Sequence, residues 1–252
     1  MTPVSQYVFD GSRWRNEVAT SRSTPQVAEA VAGVQRAPVG DVTTNGVAWR
    51  QVFVENFDSS TRPAVWHPYP DGSGQGKYND GARVTYHDSC MDIEIAQVAG
   101  VMQGTAGIFG VGQNSMRTSM RFRTDAPFTG AGCAGMIWPR SGKWSEGEID
   151  WPEVQFNGNI TGFIHRVGLN PEQNALVVNT AVTPWSGWHT VVTEWRPGHY
   201  VRCFLDGVLL GTCTSAVAVN SHDWRLQAAA NGGTRSAGGH MLVDWIAQWV
   251  LA

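Results

Sequence analysis

Residues 146–153 read EGEIDWPE, so Glu146, Glu148, Asp150 and Glu153 crowd into a short stretch of a chain whose charged residues make up only 15%. In a β-strand side chains alternate between faces, so Glu148 and Asp150 share one side while Ile149 turns to the other, the core side. Strict alternation would send Glu153 into the core as well. One extra residue at Trp151-Pro152 repairs this, because a β-bulge advances the register by one and Pro, lacking an N–H for the ladder, fits where pairing is already broken. Glu148, Asp150 and Glu153 then line one face. By the same alternation Glu146 would share the face of Glu148, with no catalytic role assigned to it.

Two carboxyls facing each other across roughly 5–5.5 Å are what a retaining glycosidase uses, one attacking the anomeric carbon and the other protonating the leaving oxygen. Like charges on one face cannot all ionise freely, so at least one pKa must rise, and a raised carboxyl is a proton donor at neutral pH. The rival readings are a solvated acidic strand or a set of metal ligands. Solvated strands seldom carry E-x-D-x-x-E between tryptophans, and a calcium loop would have Gly and Asn among its acids.

Around this strand the chain is β-rich. It has 252 residues with 29 Gly and 12 Trp. From Trp49 onward short runs such as WRQVFVENF, SMRFRTD, AGMIWP, ITGFIHRV and WHTVVTEW alternate with turn signals, the pattern of an all-β sandwich of two antiparallel sheets. Residues 1–45 differ in texture: an aromatic cluster, YVFDGSRWR, precedes TPQVAEAVAGV, the one fair helix candidate, and the breakers of RAPVGD. They read as a short N-terminal element and linker, with the sandwich domain over 46–252.

The net charge of −3 with no basic block gives no footprint for nucleic acid or an anionic membrane. No apolar stretch is long enough to span a bilayer, and the N-terminus lacks the basic start and apolar run of a secretory signal. Cys90, Cys133, Cys203 and Cys213 show no C-x-x-C spacing and read as buried or free thiols. A hairpin turning at Asp206-Gly207 sets Cys203 opposite Leu210, so Cys213 falls on the other face and a Cys203–Cys213 bridge is not expected.

GEIDWPE, with GMIWPRSGKWSEGEID upstream and GFIHRV, GWHTVVTEWRPGHYVRCFLDGVLLGT and GHMLVDWIAQW downstream, resembles glycoside hydrolase family 16 in its bulged E-x-D-x-x-E form, over about residues 49–252. The resemblance implies a concanavalin-like jelly roll with an open cleft for an internal stretch of polysaccharide, acting outside the cell. It implies Glu148 as nucleophile, Asp150 as the residue that orients and tunes it, and Glu153 as acid/base, with no cofactor for catalysis. The implied reaction is retaining endo-hydrolysis of a polysaccharide, by default a β-1,3- or β-1,3-1,4-glucan. A lectin-like binding module on the same sandwich is the alternative.

The resemblance further marks Trp138 and Trp144 as sugar-stacking residues, His165 as a group near the acid/base Glu153, and Gln227 as a cleft residue. Met136 stands where many members carry another Trp. Asp244 matches an aspartate that in many members helps hold a structural calcium, though a hydrogen-bonded Asp is an equal reading. DGSGQGKYNDG (71–81) begins like a calcium loop but has Ala82 where the bidentate Glu belongs, so it reads as a Gly-rich loop at the cleft rim. YVFDGSRWR resembles short attachment segments of phage tail proteins, which implies virion proteins as partners through residues 1–45.

Overall fold

A row of seven apolar side chains crosses one sheet from edge to edge: Trp66, Phe109, Trp224, Ile137, Ile149, Ile164 and Leu176 face each other through successive strand pairs, all of them buried. The next row, on the opposite face of the same strands, runs Phe163, Asp150, Met136, Arg225 and Ile108. Period-two alternation has thus made one face a core and the other a polar floor. The structure is a computed structural model that describes residues 6–9, 14–17, 35–168, 170–230 and 238–252.

Two antiparallel sheets build the sandwich. The floor sheet has seven strands in the order Asn174–Asn179, Ile160–His165, Ile149–Gln155, Ala131–Pro139, His222–Ala230, Thr105–Gln113 and Trp66–Pro68. Against it lies a ten-stranded sheet whose main path runs from Val208–Cys213 through Tyr200–Leu205, His189–Arg196, Met116–Thr124 and Gly238–Leu251 to Val47–Glu55 and Val42–Thr44. The expected jelly-roll sandwich is the observed architecture.

Trp151 ties the two sheets together. Its ring is buried between them and its indole N–H donates to the Phe204 carbonyl across the core at 2.9 Å. Thr193 Oγ1, from the same opposing sheet, donates to the Trp151 carbonyl. Each such buried indole removes about 150–250 Å² from water, roughly 4–6 kcal/mol before entropy is counted.

A second apolar cluster, Trp49, Trp245, Ala247 and Trp249 with Ala37, sits apart from this core. Residues 35–44 reach it: the Trp249 indole donates to the Gly40 carbonyl, and the Ala37 and Gly40 amides donate to Asn56 and Gln51. Val42–Thr44 then pairs with the start of Val47–Glu55 through an Asn45-Gly46 turn, so a boundary at residue 45 falls inside a hairpin. Of the preceding segment the structure describes only the backbone of a hairpin, Gln6–Phe9 with Trp14–Glu17. The expected helix over TPQVAEAVAGV lies outside the described residues.

One register expectation is corrected. Cys203 faces Gly211, not Leu210, because Leu210 is an extra residue between the Phe204–Leu209 and Cys203–Gly211 pairs. That bulge puts Cys203 and Cys213 on the same, core-facing side. All four cysteines are buried free thiols.

Candidate active site

The bulge lies where the spacing placed it. Asp150 faces Phe163 and Met136, while Glu153, three residues on, faces Thr161 and Ala134, only two residues away on each neighbour. Trp151 and Pro152 absorb the extra residue, so Asp150 and Glu153 emerge on the same face. Gly162 makes room for it: a Cβ there would come within 2.6 Å of the Asp150 carbonyl and 2.4 Å of the Trp151 ring. Glu148 precedes the strand, and its carbonyl accepts the backbone N–H of His165 at 2.9 Å, which fixes it beside the others.

Glu148, Asp150 and Glu153 line a cleft of about 470 Å³ together with Met136, Phe163, His165, Asn174, Gln227 and Tyr78. Gln227 sits next to Ala134, in the cross-strand row of Glu153, as expected of a cleft residue. Trp138 lies further along the same strand as Met136, half-buried, with the Arg225 guanidinium 5.8 Å from its ring. Trp144 stands at the mouth, 38% exposed, edge-on to the His165 ring at 5.5 Å. Its side chain also hydrogen-bonds Glu148, so it holds the carboxylate as well as offering a face.

Burial dominates the electrostatics. It raises the pKa of all three acids, and Asp150 adds to the effect at Glu148, which is pushed up to about 8, and at Glu153. His165 counters this. Its Nδ1 lies 3.0 Å from the Pro171 carbonyl, an obligate acceptor, so Nδ1 carries a proton. Nε2 meets Asp150 Oδ2 at 3.1 Å and Glu148 Oε2 at 3.9 Å. The carboxylates raise the imidazole pKa against its burial. We therefore read His165 as an imidazolium paired with Asp150, which offsets part of the charge that Asp150 presents to Glu148.

Several expectations change. His165 bonds Asp150 and approaches Glu148, not Glu153, the residue the resemblance marks as acid/base, because its backbone pairs with Glu148. Glu146 does not share the acidic face: a single 3-10 turn over Trp144–Glu146 and the left-handed Gly147 (φ 103°) turn it away, and it accepts a hydrogen bond from Ser141 Oγ at 2.8 Å. Asp244 is 1% exposed and ion-paired with the Arg121 guanidinium, so it does not fit a calcium ligand; a guanidinium occupies the place a cation would take.

Three of these cleft residues, Phe163, Tyr78 and Asn174, were not marked by the sequence. Phe163 follows from parity, since it alternates with the core residue Ile164. Tyr78 has no local signal. It belongs to the Gly-rich rim loop, pinned by the Gly72 amide to the Tyr78 carbonyl at 2.8 Å and by the Gly104 amide to the Lys77 carbonyl at 2.8 Å. Gly74, in the left-handed region (φ 61°), lies against the Tyr78 ring so closely that a Cβ would stand 2.5 Å from it.

No protein-family model and no curated protein sequence matches the chain. Solved structures do. The endo-β-1,3-glucanase of Pyrococcus furiosus is 15% identical with a TM-score of 0.68, covering 85% of this chain and 99% of its own. The laminarinase of Rhodothermus marinus is 19% identical, TM-score 0.67, over 81% and 98%. A non-specific endo-β-1,3(4)-glucanase of family GH16 is 17% identical, TM-score 0.67, over 84% and 96%. The chain has the fold of these enzymes over nearly their whole length.

Proposed function

We propose that the protein is a retaining endo-β-glycosidase that cleaves an internal linkage of a polysaccharide laid along the cleft, with a β-1,3- or β-1,3-1,4-glucan as the default substrate. The observation that carries this is the bulge at Trp151-Pro152, which delivers Glu148, Asp150 and Glu153 to one face of an open cleft. The laminarinase and endo-glucanase folds it shares support the same class. A lectin-like site has no use for three carboxyls held above their ordinary pKa.

In this reading Glu148, in its ionised form and with the charge of Asp150 partly offset by His165, attacks the anomeric carbon as the bond to the leaving sugar breaks. Glu153, whose hold on its proton is strengthened by burial and by Asp150, passes that proton to the departing oxygen. Esterification removes the negative charge of Glu148, which favours ionisation of Glu153. Glu153 then takes a proton from water, whose oxygen attacks the same carbon and frees Glu148. Asp150 and His165 position and tune Glu148 and do not touch the anomeric centre.

Proton NMR of the first product formed from a β-glucan tests the stereochemistry. Initial appearance of the β-anomer supports double displacement; initial α-anomer would mean inversion and a different role for Glu148.

A further inference from the structure

We propose that Glu148, Asp150 and His165 form a binding site for a divalent transition-metal ion of the zinc class, and that occupation blocks the cleft reversibly. One ligand atom from each of the three lies within 4.8 Å of the other two. His165 is prepared as metal-binding histidines are: Nδ1–H is committed to a backbone carbonyl, which fixes the ring and leaves Nε2 pointing at the carboxylates. Nε2 and Asp150 Oδ2 lie 3.1 Å apart, bridged by the imidazolium proton in the metal-free protein, and a metal ion would take that proton's place.

Asp150 supplies the independent observation. It is 3% exposed, lines the cleft, and its Oδ1 is buried without a hydrogen-bond partner among the described residues. A buried carboxylate oxygen left bare is costly unless a cation or donor arrives. Tetrahedral zinc with bonds of about 2.0–2.2 Å sets its ligands about 3.3 Å apart. From Nε2 the present separations are 3.1 Å to Asp150 and 3.9 Å to Glu148, with all three ligand atoms within 4.8 Å of one another, so side-chain rotation would close the set on one ion. One imidazole and two carboxylates favour zinc, copper or nickel over calcium or magnesium, which take oxygen alone.

On binding, the ion displaces the proton from Nε2 to solvent while Nδ1–H stays on Pro171, and the Glu148 oxygen becomes a metal ligand. That last step is why catalysis would stop, and this part alone rests on Glu148 being the nucleophile.

The experiment is calorimetric titration of the full chain with zinc chloride, alongside the visible spectrum of the cobalt(II) form. We expect one ion per chain in low, four- or five-coordinate geometry. His165→Gln and Glu148→Gln should each weaken binding roughly tenfold or more, with a single cooperative unfolding transition in the absence of metal as the control for folding. His87 and His240, each hydrogen-bonded to one oxygen of Asp92, and His189, hydrogen-bonded to Asp206, are the other carboxylate-paired imidazoles among the described residues. Binding lost in His240→Gln but kept in His165→Gln would overturn the proposal, as would no binding at all. Zinc that binds through His165 in a protein hydrolysing no glycan would keep the site and remove only its inhibitory meaning.

Discussion

His165 Nε2 stands 3.1 Å from Asp150 Oδ2 while Nδ1 of the same ring is held by the Pro171 carbonyl. Both ring nitrogens are thereby spoken for, and the charge of the most buried of the three cleft acids is answered by the one imidazole in the cleft. Replacing His165 by Asn should leave Asp150 unpaired beside Glu148, raise the Glu148 pKa further and move the acid limb of the kcat/KM profile to higher pH. A profile that merely falls in height without moving would deny the tuning role.

For the wild type the sign of the pH dependence follows from the same groups. Glu148 must be ionised and its pKa is raised by burial and by Asp150 to about 8, so activity should rise with pH above the ordinary carboxylate range. It should fall again as Glu153 and His165 lose their protons. A bell whose acid limb lies near 4.5, the ordinary glutamate value, would contradict the electrostatic account.

Stability should run the other way. A carboxyl whose folded pKa exceeds its unfolded value binds more protons when folded, so stability is lost as pH rises from about 4.5 towards 8. Glu148→Gln removes that penalty. We expect it to be more stable than wild type by a few kcal/mol at pH 8, several degrees in melting temperature, and nearly equal at pH 4.5. Calorimetric melts at the two pH values decide it.

Gly74→Ala tests the rim loop. The added methyl collides with the Tyr78 ring and sits in a left-handed backbone position, costing roughly 1–2 kcal/mol. Because Tyr78 lines the cleft, KM should rise several-fold while kcat changes little. Equal loss of kcat and kcat/KM would mean that Tyr78 acts in the chemical step.

Arg121 and Asp244 form a buried pair. Removing the guanidinium in Arg121→Ala strands a carboxylate, a loss of about 3–5 kcal/mol. Calcium and EDTA should leave the wild-type melting temperature unchanged. A calcium-dependent rise in the wild type would restore Asp244 as a metal ligand.

The sequence showed the bulge because its cause is local: Pro at the break and an E-x-D-x-x-E spacing that only an inserted residue reconciles with one face. The alternation of core and polar residues likewise delivered two sheets. What failed depended on chain breaks with no residue signature. Leu210 bulges out of a hairpin that two-residue turn rules describe as regular, which reversed the face assigned to Cys213. A single 3-10 turn ahead of Gly147 took Glu146 off the strand. The partner of His165 was set by the backbone pairing with Glu148, and Tyr78 reached the cleft through a loop far away in sequence; neither is written in local spacing.

The most direct test of the account is reducing-end release from β-1,3-glucan, β-1,3-1,4-glucan and galactan by the wild type and by Glu148→Gln at equal concentration. The account predicts release by the wild type from at least one of them and a fall of at least about 10³-fold in the variant. Equal release by the two proteins, or retention of glycan by both with no release, would contradict it.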